Sequence, residues 1–110
     1  MSYEDLNKDK RIKSTIKHLA DTFGERSFKI KDHWDGDLNA IGLVDNEEKH
    51  LVYISTYGDK DFFVSLENLT TVDDHPYEPV GDFDNVDLER LEKIFAQHLG
   101  LETTNAQHKI

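Results

Sequence analysis

The sequence predicts an α+β fold, a two-layer sandwich in which an antiparallel sheet of about four strands carries an N-terminal and a C-terminal helix. Three observations lead there. Apolar residues recur at helical spacing near the start and again from Leu88 onward. Between them, apolar and polar residues alternate with a period of two, the mark of a strand with one wet face. The turn segments between those strands are short, which favours antiparallel hairpins in a meander.

The elements follow in order. Ile12, Ile16, Leu19, Ala20 and Phe23 fall on one stripe, and Gly24 stands where a helix-ending glycine belongs, so a helix is expected over roughly residues 5–23. In "RSFKIKD", Phe28 and Ile30 alternate with Ser27, Lys29 and Lys31, which predicts a strand. "HWDGD" reads as a turn because Asp35-Gly36 suits positive φ. "LNAIGLVD" is a shorter strand, "NEEK" a turn, and "HLVYISTY" the strongest strand, rich in β-branched and aromatic residues. After "GDKD", the run "FFVSLEN" sets Phe62, Val64 and Leu66 against Phe63, Ser65 and Glu67. From Val72 to Asp87 runs "VDDHPYEPVGDFDNVD", where two prolines and Gly81 predict an irregular loop. The last helix is expected to start at an Asp87 N-cap, with Val86 and Leu91 as a hydrophobic staple. Its stripe is Leu88, Leu91, Ile94, Phe95, His98 and Leu99, and Gly100 ends it. Residues 1–101 are read as one domain, and 102–110 as a tail without pattern.

Composition narrows the function. The chain has 110 residues, enough for one core, and no cysteine, so disulfides and Cys-based zinc sites are excluded and a reducing, cytoplasmic setting is expected. Nothing approaches the apolar length of a membrane span. Net charge is −10, and residues 56–110 hold 12 acids against 4 bases. Direct contact with nucleic acid or an anionic membrane is therefore disfavoured, and a basic partner is favoured.

The motif tests exclude most chemistry. Neither Asp82 nor Asp35 opens an EF-hand loop, because Val86 and Ala40 stand where a ligand or the invariant glycine must be. The six histidines form no HxxxH or HExxH pair. Asp37, Glu47 and Lys49 match a metal-nuclease spacing, but Glu47 and Lys49 fall in a turn and the charge opposes nucleic acid. No nucleophile elbow or phosphate loop occurs. No cofactor, resident metal or catalytic residue is predicted, and the chain is expected not to be an enzyme.

What remains is the acidic segment. From Asp61 to Glu89 there are nine acids and no Lys or Arg, with Tyr77 and Phe83 interleaved. A solvated face explains some of that charge, and the aromatics suit either anchoring a partner or packing on the sheet edge. Asp73, Asp74, Tyr77, Glu78, Asp82 and Asp84 are the candidate partner-binding residues, joined by Trp34, Asp35 and Asp37 of the acidic turn. For Trp34 a place closing one end of the core is the competing expectation.

A small, acidic, Cys-free α+β chain with "WDGDLNAIGLVD", "HLVYISTY" and "FFVSLEN" resembles the immunity proteins of bacterial polymorphic-toxin and contact-dependent growth-inhibition systems. The resemblance is one of overall character. It implies a cytosolic protein that binds and neutralises one cognate toxin domain, often a basic nuclease, with its carboxylates on the toxin's substrate-binding surface. Two other readings stand beside it: a metal-assisted hydrolase using Asp82 and Asp84 or Asp35 and Asp37, and a DNA-mimic or regulatory binding module.

Overall fold

The computed structural model describes residues 8–31, 38–56, 61–70 and 77–101. Trp34, Asp35, Asp37, Asp73, Asp74 and the tail 102–110 lie outside the described residues. Helix α1 spans Lys10–Phe23, followed by strands β1 (Phe28–Ile30), β2 (Ala40–Asp45), β3 (His50–Ser55), β4 (Phe62–Leu69) and β5 (Tyr77–Val86), and then helix α2 (Leu88–Leu99). The five strands form one antiparallel sheet in sequence order, a simple meander. Among the described residues no helix is long and apolar enough to cross a membrane.

Both helices end where local chemistry dictates. Helix α1 begins at Lys10, later than the spacing predicts, because Asp9 is its N-cap and accepts from the Ile12 N–H at 2.8 Å. Gly24 closes it at φ 97°. Asp87 caps α2 by accepting from the Arg90 N–H at 2.8 Å. Gly100 adopts φ 68°, and the Leu101 N–H returns to the Ala96 carbonyl at 2.8 Å, the six-to-one bond of a Schellman ending. Asp87→Ala should therefore cost about 1 kcal/mol, as typical N-cap deletions do, while Asp87→Asn keeps most of the stability. Urea denaturation showing equal losses in the two variants would contradict the capping role.

The stripes pack as spaced, with one exception. Ile12, Ile16, Leu19, Ala20, Phe23, Leu91, Phe95 and Leu99 join Phe28, Ile41, Leu43, Val52, Ile54, Phe62, Val64, Leu66 and Val86 in one core. Phe95 sits centrally, its ring centroid 5.5 Å from Phe23 and 5.2 Å, edge-on, from Phe28. The staple pair Val86 and Leu91 is fully buried. Leu88 is the exception: it is 39% exposed, in the first turn of α2. Across the helices, His18 pairs with Glu92.

The segment read as an irregular loop is a strand from Tyr77 onward, and the sheet has five strands rather than about four. The reason is position. β5 is an edge strand, where a proline's missing N–H need not break a ladder and Pro and charge are common. Ten residues of β5 face eight of β4. Two register shifts absorb the excess: Val80 is extra between Pro79 and Gly81, and Asn85, at φ 55°, lies in the second irregularity.

The outer face of the sheet, opposite the core, is also less wet than simple alternation implies. Ala40, Val44, Leu51 and Ser55, which alternate with the core residues of β2 and β3, are buried. Polar residues on that face lie toward its two sides, Lys29 at β1 and Ser65, Glu67 and Asp82 at β4 and β5.

Candidate partner-binding surface and a polar groove

The acidic surface is built by β4 and β5. Cross-strand register sets Ser65 opposite Asp82, Glu67 opposite Pro79 and Leu69 opposite Tyr77, all on the outer face, where Tyr53 and Phe63 also meet edge-on at 6.3 Å. Glu78 stands opposite Asn68, on the helix side of the sheet. Glu78, Asp82 and Asp84 are exposed, and Tyr77 is half-buried. Four of the candidate residues thus share one edge strand. Phe83 takes the packing role rather than the anchoring one: it lies against the core, with the Arg90 guanidinium 5.5 Å from its ring centre.

Charge pairing divides the sheet. Near β1 the ions are matched: Lys31 Nζ lies 3.0 Å from Glu48, Lys29 3.8 Å from the same carboxylate, and Lys49 3.8 Å from Glu47. Glu47 and Lys49 are largely solvent-exposed, unlike the buried residues of a nuclease strand. Near β5, among the described residues, no Lys or Arg pairs with Glu67, Glu78, Asp82 or Asp84. Asp82 accepts from the Ser65 hydroxyl at 2.7 Å. Among the described residues no three His, Asp or Glu side chains converge in a way that could hold a metal ion.

Glu67 is where this imbalance is felt. Burial, and then the Asp82 carboxylate, push its carboxyl above the ordinary range. A raised carboxyl favours folding fully below the unfolded-state value, and that contribution is lost as pH rises through the folded-state value. At neutral pH the ionised Glu67 therefore weakens the free fold. Glu67→Gln should stabilise the protein by about 0.2–1 kcal/mol at pH 7, the size of a cross-strand pair, and by nothing in acid where both side chains are neutral. Equal denaturation midpoints for the two proteins across pH would show that Glu67 bears no such strain.

A second polar group lies on the opposite side of the sheet, under α2. Asp45 and His50 flank the β2–β3 turn, and the His50 Nδ1–H donates to the Asp45 carboxylate at 2.7 Å. Burial works to raise Asp45. It is outweighed by this bond and by the backbone N–H groups of Lys49 and His50, at 2.7 and 3.2 Å, so its carboxyl is held below the usual range. From α2, His98 donates through Nε2 to the Glu67 carbonyl at 2.9 Å, and its ring meets His50 edge-on at 5.3 Å. Asn68 lies next to His50 in register, and its buried Oδ1 has no hydrogen-bond partner. His50, Asn68 and His98 line an open groove of about 460 Å³ with Leu66, Val80, Phe83, Ile94 and Gln97.

Sequence reasoning missed this polar cluster because Asp45, His50, Asn68 and His98 come from four elements. The available signals were an Asp and a His at the two ends of one turn and a His on the rim of a helix stripe. Comparison with known proteins finds no matching family, no matching curated protein and no matching solved structure.

Proposed function

We propose that this chain is an immunity protein, a cytosolic inhibitor that binds one basic toxin domain through the acidic surface of β4 and β5. One observation carries the reading: Glu67, Glu78, Asp82 and Asp84 gather on and beside an edge strand with no Lys or Arg paired to them among the described residues, while the carboxylate Glu48 beside β1 has its lysines. Unpaired like charges cost stability in the free protein. A cationic partner relieves that cost and is steered toward the surface by the same field. The half-buried Tyr77 adds contact area beside the charges. Asp73, Asp74 and the Trp34–Asp37 turn are part of the proposed surface on sequence grounds.

The reading also accounts for the shape of β5. An exposed strand edge invites pairing with other chains, and Pro79, two irregularities and three exposed acids deter indiscriminate pairing. The toxin is engaged by charge and side-chain contact, not by extension of the sheet.

The test is protection. A basic toxin domain encoded beside this chain should kill cells that lack the chain and spare cells that co-express it, and the two purified proteins should form a stable 1:1 complex. Unchanged toxicity with no complex by size-exclusion chromatography would overturn the proposal.

A further inference from the structure

We infer that Tyr53, Phe63, Ser65, Glu67 and Asp82 form a bowl on the outer face of the sheet that seats the cationic end of one basic side chain of the protein partner, an inference that rests on the proposed function. Register builds the bowl. Ser65 of β4 lies between Tyr53 of β3 and Asp82 of β5. Phe63 and Glu67 flank it along β4, each two residues away and so on the same face. Neighbours stand about 5 Å away across the strands and about 7 Å away along one strand. All four are larger than serine, so Ser65 is the floor of a depression. Tyr53 and Phe63 are half-buried and meet edge-on, with ring centroids 6.3 Å apart.

An aromatic corner, Tyr53 and Phe63, thus faces an acidic corner, Glu67 and Asp82. Ring faces carry negative potential, so both corners attract a cation and repel an anion. Among the described residues the Glu67 carboxylate has no hydrogen bond or ion pair, and Asp82 has only the Ser65 hydroxyl, which holds it over the floor at 2.7 Å. Burial and then Asp82 hold the Glu67 carboxyl above its ordinary range, a penalty that a positive charge between the two would offset. The set suits an ammonium or guanidinium on an apolar stem. Two carboxylates and a hydroxyl fall short of the about six to eight oxygens that calcium takes, whereas ring faces suit an organic cation. The bowl is open, as a sheet face dictates. Small molecules favour deeper clefts, and an open bowl suits a side chain delivered on a protein surface. It also lies within the proposed interface, since Asp82 is one of the exposed acids of β5.

The experiment uses the intact protein at low salt and pH about 8, where carboxylates are ordinarily ionised, with blocked amino acids as probes. N-acetyl-lysine amide and N-acetyl-arginine amide should each shift the ring NMR signals of Tyr53 and Phe63 saturably. N-acetyl-norleucine amide and N-acetyl-citrulline amide keep the stems and lose the charge, and should bind about tenfold or more weakly. Glu67→Gln should weaken binding of the lysine probe about tenfold, and Phe63→Leu about twofold to fivefold, the size of an exposed cation–π contact. Glu89→Gln removes the same charge from the first turn of α2, on the other side of the sheet, and should change binding by less than about twofold, because salt and water screen distant exposed charges. No saturable shift, an equal response to charged and neutral probes, or an unchanged response in Glu67→Gln or Phe63→Leu overturns the inference. So does a loss in Glu89→Gln as large as that in Glu67→Gln. If Phe63→Leu unfolds, the probe comparison and the two Gln variants decide alone. Because no toxin is used, failure here leaves the acidic-surface proposal standing, and failure of toxin protection leaves this result intact.

Discussion

Phe95→Ala should lower unfolding stability by about 3–5 kcal/mol, the range for emptying a buried aromatic position. Phe95 is fully buried and touches rings from two other segments, Phe23 at the end of α1 and Phe28 in β1. Neither ring can collapse into the gap without moving its own backbone, so most of the cavity should persist. The loss also includes two aromatic contacts, worth about 0.5–1.5 kcal/mol each beyond area alone. For a single small domain, whose total stability is about 5–15 kcal/mol, that leaves little reserve. Leu91→Ala, at a buried position in the same helix, should cost about 2–5 kcal/mol. Urea denaturation monitored by far-UV circular dichroism measures both. A loss below about 0.5 kcal/mol for either, as for a surface site, would mean that α2 does not pack through this stripe.

Replacing Glu78, Asp82 and Asp84 together by lysine should slow association with the proposed basic partner by about tenfold to a thousandfold at low salt, the span attributed to electrostatic steering. The expected change lies mainly in the on-rate, because exposed charges steer encounter more than they hold the complex. All three residues are exposed, so the fold should survive their reversal. Tyr77→Ala differs in kind: removing a half-buried ring at the surface should act mainly through the off-rate. Stopped-flow kinetics separate the two effects. A triple variant with an unchanged on-rate would show that these carboxylates are only a solvated face.

How far the sequence anticipated this molecule depended on how local each signal was. The Asp87 cap, the glycine endings and the Val86–Leu91 staple are written within a few residues, so α2 and the end of α1 could be placed closely, whereas the Asp9 cap went unread and α1 starts later than its spacing predicts. Alternation in "FFVSLEN" assigned the faces of β4 correctly because each residue's side is fixed by the pleat. The strand Tyr77–Val86 was not legible, because Pro79 and Gly81 exclude a central strand yet are tolerated at an edge, and edge position is a property of the whole sheet. Leu88 falls on the α2 stripe by spacing, but it lies in the first turn and is partly exposed. Of the candidate surface, Tyr77, Glu78, Asp82 and Asp84 come together on one strand. The role of Glu67 was hidden, since its burial and its closeness to Asp82 arise only when β4 pairs with β5.

The most direct measurement of the central claim is the salt dependence of association between the unaltered protein and the proposed basic toxin domain. Exposed charges are screened beyond about 8–10 Å at ionic strengths of about 0.1–0.15 M. If the unpaired carboxylates of β4 and β5 exist to meet a cationic partner, the on-rate should fall steeply between low and physiological salt while the off-rate changes far less. An on-rate that is flat across that range would contradict the account, because it would mean that the charge asymmetry of the sheet plays no part in finding the partner.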